Sequence, residues 1–407
     1  GTGKSTILPV IIDSLGIDPS SVAFCAPTGK AAKVMTEKLK AFDIHTRART
    51  IHSWIYRPKA LRAEVLEQQL RAAQAERHQL YEQKDPRFEE RIKELSNTIK
   101  LLEKDLDKAL ENTEGPKFQL NVDSGIRATR LIVVDEASMV GSEIAEDLMS
   151  FDVPILCMGD PGQLPPVNDE PGLTAGNPDF FLNEVHRQAR DNPILRLATQ
   201  AREGKLLKPG KYAGASDDEW AEVIERRHDR ATYDMDRNAQ ILVGTNRKRW
   251  MVTSKLREMM GYVKSGPYAG EPLIVCKNSK RYPDLVNGSF VYCADDVGSL
   301  EEGTVAISLK IEDETGAVRR VMANQGVFEE NFLLKKGAAT GAKGLVFRSR
   351  IEDELIDFGH AITVHKSQGS QWDEVVLHDE SGTFQDAADK WLYTGLTRAA
   401  KRLTVVV

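Results

Sequence analysis

Gly1-Thr2-Gly3-Lys4-Ser5-Thr6 opens the sequence, and its reading decides the fold. The run carries the Gly-Lys-Ser core of a phosphate-binding loop. Small glycines let the backbone curl so that its N–H groups converge on phosphate oxygens. The helix that follows, residues 6–15, turns the positive end of its dipole toward the same charge. Lys4 then reaches the β- and γ-phosphates of a nucleotide and the Ser5 hydroxyl a Mg²⁺ ion, with Gly1, Thr2, Gly3 and Thr6 completing the cradle. The leading glycine of the pattern falls upstream of residue 1. A first strand and any targeting segment are therefore expected upstream as well.

Working outward, short apolar runs bounded by turn residues read as buried parallel strands. Ser21-Val22-Ala23-Phe24-Cys25-Ala26 ends in Pro27-Thr28-Gly29-Lys30, and a helix follows. Leu131-Ile132-Val133-Val134 ends in Asp135-Glu136. An acid pair at such a strand end suits a nucleotide site, Asp135 as a Mg²⁺ ligand and Glu136 to orient or deprotonate the attacking water. Pro154-Ile155-Leu156-Cys157-Met158 ends in Gly159-Asp160-Pro161-Gly162-Gln163. The Gln163 amide both donates and accepts, so it can register a γ-phosphate. Ala239–Gly244 opens a second α/β unit ending in Thr245-Asn246. That unit resumes at Thr363-Val364-His365-Lys366-Ser367-Gln368-Gly369.

Two segments break this grammar. Over residues 59–112, Phe88, Ile92, Leu95, Ile99, Leu102, Leu106 and Leu110 recur at spacings of four and three, with a weaker seam before Asp85-Pro86. Proline stops the helix, so the pattern predicts an antiparallel helical hairpin. Its balanced charges suit either a solvated arm or one that meets DNA or a partner. Residues 266–350 turn to strand periodicity with Gly and Asn-Gly turns, predicting a small β-barrel. The expected fold class is α/β, with two doubly wound domains each carrying one insertion. The boundaries are 1–57 and 118–177 for the first domain, 58–117 for the hairpin, 178–264 and 351–407 for the second domain, and 265–350 for the β insertion.

Composition narrows the function. A formal charge of −6 over 407 residues leaves no global basic field, so any nucleic-acid contact is a local groove. The four cysteines lack metal-ligand spacing, and Cys25, Cys157 and Cys276 fall in apolar runs, which suits buried thiols of a reducing compartment. No apolar run nears the roughly 18 residues needed to cross a membrane.

Seven motifs in one order resemble the superfamily-1 DNA helicases of the 5′→3′ type, the RecD-like and phage Dda-like group. They are Gly-Thr-Gly-Lys-Ser, Ala-Pro-Thr-Gly-Lys-Ala-Ala, Thr-Ile-His-Ser, Val-Asp-Glu-Ala-Ser-Met, Gly-Asp-Pro-Gly-Gln-Leu-Pro-Pro-Val, Thr-Val-His-Lys-Ser-Gln-Gly and Tyr-Thr-Gly-Leu-Thr-Arg-Ala. The resemblance covers nearly the whole chain except the helical arm. It implies that both α/β domains are RecA-like, with ATP and Mg²⁺ as cofactors and ATP-dependent unwinding of DNA. It implies Gln163 as the γ-phosphate sensor, Arg187 and Arg398 as arginine fingers, and Gly369 beside the nucleotide. It implies a single-strand path over Pro27, Thr28, His52, Thr245, Asn246, Thr363, His365 and Lys366. The β insertion resembles an SH3-like domain. Implied partners are single-stranded DNA, junctions of single and double strands, and replication or recombination proteins at the arm, in the cytoplasm of a phage or bacterial system. Gln371 stands where many relatives carry a glutamate near the ribose. The arm replaces the short β-hairpin that relatives use to split the duplex. Three other readings are a translocase that does not unwind, an adaptor that only senses nucleotide, and the motor segment of a larger enzyme.

Overall fold

The computed structural model describes residues 4–58, 62–83, 86–111, 118–166, 169–174, 176–182, 192–214, 218–225, 239–279, 281–298, 306–313, 316–324, 327–328 and 354–407. The backbone divides into two units: Gly1–Ile51 with Ala128–Val407, and His52–Arg127.

The first sheet is parallel. Strands β1 (Val22–Ala26), β2 (Arg49–Thr50), β5 (Leu131–Val134) and β6 (Ile155–Cys157) lie in the order β2-β1-β5-β6, with β3 and β4 falling in the other unit. The apolar run of β1 is buried on both faces: Ala23, Phe24, Cys25 and Ala26 are all 0% exposed. Such strands are covered by helices. Lys4–Ser14 packs Leu8 and Ile12 into this core, and Gly29–Lys40 packs Ala31, Ala32, Met35 and Leu39. Thr28 caps the latter helix, its hydroxyl accepting from Ala31 N at 3.2 Å. Cys25 is buried, which pushes its thiol up to about 12. Cys157 departs from expectation and is exposed, because β6 is the outer strand.

In the second unit β3 (Tyr56–Pro58) pairs antiparallel with β4 (Phe118–Leu120). Between them run two helices, Arg62–Glu82 and Glu89–Glu111, joined through a 3₁₀ turn at Pro86–Phe88. Among the described residues Leu66, Leu95 and Ile99 are the buried positions of their seam. Arg91 near the start of the second helix donates to Glu76 near the end of the first, at 2.9 and 3.0 Å. That pairing requires antiparallel helices. As an exposed ion pair, screened by solvent, it adds little, so the apolar seam does most of the holding.

The second sheet has six strands in the order β15-β9-β16-β17-β8-β7. These are β7 (Gly210–Ala213), β8 (Trp220–Ile224), β9 (Gln240–Val243), β15 (Ala361–Thr363), β16 (Trp372–His378) and β17 (Ala399–Val406). All pairs are parallel except β7 with β8. Helices Pro193–Arg202 and Ala388–Leu396 cover one face, with Leu197, Trp391 and Leu396 fully buried. Helix Asn246–Met259 covers the other face through Val252.

A third, antiparallel sheet of five strands has the order β13-β12-β11-β10-β14. It contains β10 (Pro272–Val275), β11 (Phe290–Cys293), β12 (Ala306–Asp313), β13 (Val318–Asn324) and β14 (Ile356–Phe358). The run 286–292, one of the expected strands, pairs only from Phe290, and Asn287-Gly288 make the turn before β11, with Gly288 at φ 89°. A buried polar cluster ties this sheet to helix Asn246–Met259. Glu271 accepts from Arg257 Nε at 2.7 Å and Tyr268 N at 2.9 Å, and meets His360 Nε2 at 2.9 Å. The Arg257 guanidinium also lies 4.2 Å from the Phe358 ring centre. Among the described residues no helix is long and apolar enough to cross a membrane.

Candidate functional site

The carboxyl ends of β1, β5 and β6 lie side by side, as their parallel registers require. Ligands of open α/β sheets bind at this edge. Asp135 leaves β5 with its backbone N–H on Cys25 O at 3.0 Å, and its Oδ1 accepts from Glu136 N at 3.0 Å. Glu136 has left-handed backbone, φ 53° and ψ 39°. A side-chain-bearing residue held there is strained by the surrounding fold, and such strain collects at functional positions. The helix Lys4–Ser14 begins at the predicted phosphate loop. Gly1, Thr2 and Gly3 lie outside the described residues, and only the backbone of Lys4, Ser5 and Thr6 is described.

The loop after β6 carries Gln163, which is 7% exposed. Its Oε1 is buried and takes no hydrogen bond from any described residue. A desolvated carbonyl oxygen is costly to leave unpaired, so an oxygen aimed at nothing suits a site completed by a ligand. Asp160 shapes the loop, its Oδ1 accepting from Gly162 N at 3.0 Å.

Arg398 stands just before β17, 6% exposed. Burial lowers its pKa, while the charges of Glu136, Tyr393 and Asp160 act in the opposite direction. An arginine from the second sheet thus lies within the field of the acidic strand end of the first. Its guanidinium is steadied by Thr394 O at 3.0 Å, Ser370 O at 3.2 Å and Thr397 Oγ1 at 3.1 Å. Arg187, the other predicted finger, lies outside the described residues.

Three threonines of the expected single-strand path share one local structure. Thr28 and Thr245 each follow a parallel strand and Thr363 ends one, and all three cap the next helix, accepting from Ala31 N, Lys248 N and Lys366 N. Each therefore sits at a positive helix end, the local field a phosphate backbone needs in a chain of net negative charge. Pro27 is half-buried beside Thr28, and Asn246 is exposed in the first turn of its helix. The His365 ring lies 5.3 Å from that of Phe384, and burial lowers its pKa, so it stays neutral near pH 7. Lys366 Nζ lies 2.9 Å from Cys276 Sγ. Gly369, at φ 74°, brings its loop against Ala31, where a Cβ would stand 3.1 Å from that side chain. His52 belongs to the other unit, its ring 5.0 Å from Tyr56 and 6.4 Å from Phe118.

Several contacting residues escape a reading of the sequence. Glu380, just past β16, accepts from Gly244 N at 2.6 Å and Thr245 N at 3.3 Å. Its signal was a carboxylate directly after a buried strand. Tyr393, Thr394 and Gln368 reach the Gln163 loop from the second sheet's side. They lie inside quoted motifs, but nothing local indicates what they touch.

A parallel sheet whose acidic edge is met by an arginine from a second parallel sheet is the arrangement of P-loop nucleotide hydrolases with paired α/β sheets, and the geometry assigns the chain to that class. Residues 1–216, more than half of it, match the AAA domain, and the chain belongs to that family. Residues 358–406 match the UvrD-like helicase C-terminal domain. The chain is 25% identical to the ATP-dependent RecD2 DNA helicase of Deinococcus radiodurans over 99% of its own length and 45% of that protein. It is 22% identical to an uncharacterized protein of Methanocaldococcus jannaschii over 100% of its length and 36% of the relative. It thus spans less than half of these curated relatives. Among solved structures, the Pif1 helicase from Candida albicans is 17% identical with a TM-score of 0.48, covering 100% of this chain and 88% of the other. Bacteroides Pif1 bound to ssDNA is 14% identical with a TM-score of 0.49, covering 99% and 86%. The resemblance to superfamily-1 helicases, first carried by the motifs, stands with the family and relative matches.

Proposed function

We propose that the chain is an ATP-dependent DNA helicase motor that moves 5′→3′ on single-stranded DNA and hydrolyses ATP between its two parallel sheets. The observation that carries this reading is the Gln163 loop, which leaves the acidic edge of the first sheet and is bonded by Tyr393, Thr394 and Gln368 from the side of the second. A site divided between two bodies links hydrolysis to their relative movement.

In this reading Lys4 and the loop backbone hold the phosphates. Glu136 takes a proton from a water whose oxygen attacks the γ-phosphorus as the bond to the bridging oxygen breaks, releasing ADP and phosphate. Gln163 donates from its amide nitrogen to the γ-phosphate while its buried oxygen, which takes no bond from any described residue, accepts from the attacking water, and Arg187 and Arg398 steady the charge spreading over the transferring group. The residues fit Mg²⁺. Asp135 spends one oxygen on the Glu136 N–H and keeps Oδ2, and with Ser5 it supplies the few hard oxygen ligands this ion takes from protein. When bound, Mg²⁺ neutralises phosphate charge.

Pro27, Thr28, His52, Thr245, Asn246, Thr363, His365 and Lys366 line the single strand, gripping its backbone without reading bases. The boundaries expected from sequence divide the chain into two RecA-like domains. In that division β10 to β13 of the antiparallel sheet make up the SH3-like insertion, β14 pairs onto it from the resumed second domain, and the helical arm is a docking element for a replication or recombination protein. The motor works at junctions of single and double strands, in a bacterial or phage-infected cytoplasm.

The test is steady-state ATP hydrolysis with Mg²⁺, with and without a single-stranded oligonucleotide, followed by strand displacement from 5′- and 3′-tailed duplexes. Stimulation by DNA that Lys4→Ala abolishes, with displacement from the 5′-tailed duplex, is the expected result. Stimulation without displacement would leave a translocase, and hydrolysis indifferent to DNA would overturn the motor.

A further inference from the structure

We infer that Asp160 and Tyr393 form a latch across the two parallel sheets that positions Gln163 and Arg398 for hydrolysis. The inference rests on the ATPase reading above and assigns that site two positioning residues.

Gln163 is bracketed by residues held from the second sheet's side. Before it, Asp160 Oδ2 accepts from the Tyr393 hydroxyl at 2.8 Å, while Oδ1 accepts from Gly162 N at 3.0 Å. After it, both polar backbone atoms of Leu164 are taken. Its N–H donates to Thr394 Oγ1 at 2.9 Å, and its carbonyl accepts from Gln368 Nε2 at 3.2 Å. The Leu164 side chain, 2% exposed, belongs to the apolar core of the second sheet. The sensor loop therefore leaves the first sheet and docks on the second, and Gln163 spans the join.

Tyr393 and Thr394 stand on helix Ala388–Leu396, whose carbonyl at Thr394 also accepts from Arg398 Nε at 3.0 Å. One helix thus holds the sensor loop on one side and the arginine on the other. Burial and the Asp160 charge both push the Tyr393 hydroxyl up from its ordinary pKa. It stays protonated and donates to a carboxylate, the stronger kind of hydrogen bond. Contacts across moving bodies that choose between discrete arrangements are how such couplings are carried.

The test is a double-mutant cycle in the full chain with Tyr393→Phe, Asp160→Ala and the pair, read by ATPase kinetics with saturating single-stranded DNA and by DNA binding in fluorescence anisotropy. Asp160→Ala also removes the bond to Gly162, and the cycle cancels that loss. Tyr393→Phe is expected to lower kcat about tenfold, in the range one hydrogen bond to a charged group supplies, with KM for ATP and DNA affinity within about twofold. The pair is expected to lose no more than Asp160→Ala alone. A merely structural contact would instead lower DNA binding and kcat together, and that outcome overturns the latch. So would unchanged kcat, or losses that multiply. Wild type that shows no DNA-stimulated hydrolysis removes the motor reading itself, whereas an active wild type with uncoupled variants removes the latch alone.

Discussion

Arg398→Lys separates charge from geometry at the proposed hydrolytic site. A guanidinium has five N–H donors. Three are spent inside the protein, on Thr394 O, Ser370 O and Thr397 Oγ1. Five less three leaves one on each terminal nitrogen, a fork suited to two oxygens of a transferring phosphoryl group. Lysine keeps the positive charge but has neither the fork nor the internal anchors. Each hydrogen bond to a charged oxygen is worth roughly 1.5–3 kcal/mol, so losing both raises the barrier by about 3–6 kcal/mol. That is roughly 10²–10⁴ in kcat. The assay is DNA-stimulated hydrolysis at saturating ATP, with a thermal melt to verify folding. Because the arginine acts on charge that develops during reaction, KM for ATP should move little. A folded variant with kcat within about threefold of wild type, or one whose loss lies entirely in KM, would show that Arg398 only braces the start of β17.

Glu136→Gln should retain ATP and single-strand binding while kcat falls by roughly 10²–10⁴, the usual contribution of a positioned base; normal turnover would refute the assignment. Glu271→Ala strands the buried Arg257 guanidinium and should cost about 3–5 kcal/mol in urea unfolding, and a loss below about 1 kcal/mol would contradict the ion-pair cluster. Deleting residues 59–112 removes an arm within its own compact unit and should spare DNA-stimulated ATPase while changing unwinding or partner binding; collapse of the ATPase would make the arm part of the motor.

The strands that build the site were legible wherever burial on both faces leaves a continuous apolar run, as in Val22–Ala26 and Leu131–Val134. The helical seam was legible too, since Leu95 and Ile99 follow the expected spacing into the buried interface. Strands β7 and β8 were not. Gly210–Ala213 has no apolar run, and Trp220–Ile224 buries only Ala221 and Val223, with Glu222 between them. Asn287-Gly288 is a turn signal set inside the apolar run 286–292, and the left-handed glycine reverses the chain there, so β11 starts only at Phe290. The acids and arginine of the site were visible because their chemistry is local to a strand end. The Tyr393–Asp160 bond was not, because it joins residues 233 positions apart and depends on how two sheets dock.

The left-handed backbone at Glu136 sets two selections against each other. Any residue with a Cβ is held there at a cost of roughly 1–2 kcal/mol, which glycine largely escapes. Glu136→Gly should therefore melt later than wild type while its ATP hydrolysis falls by roughly 10²–10⁴. A randomised library at this codon screened only for heat resistance would enrich glycine and asparagine, and the same library screened for growth that needs the motor would return the carboxylate. At this position heat resistance alone would drift toward an inactive protein.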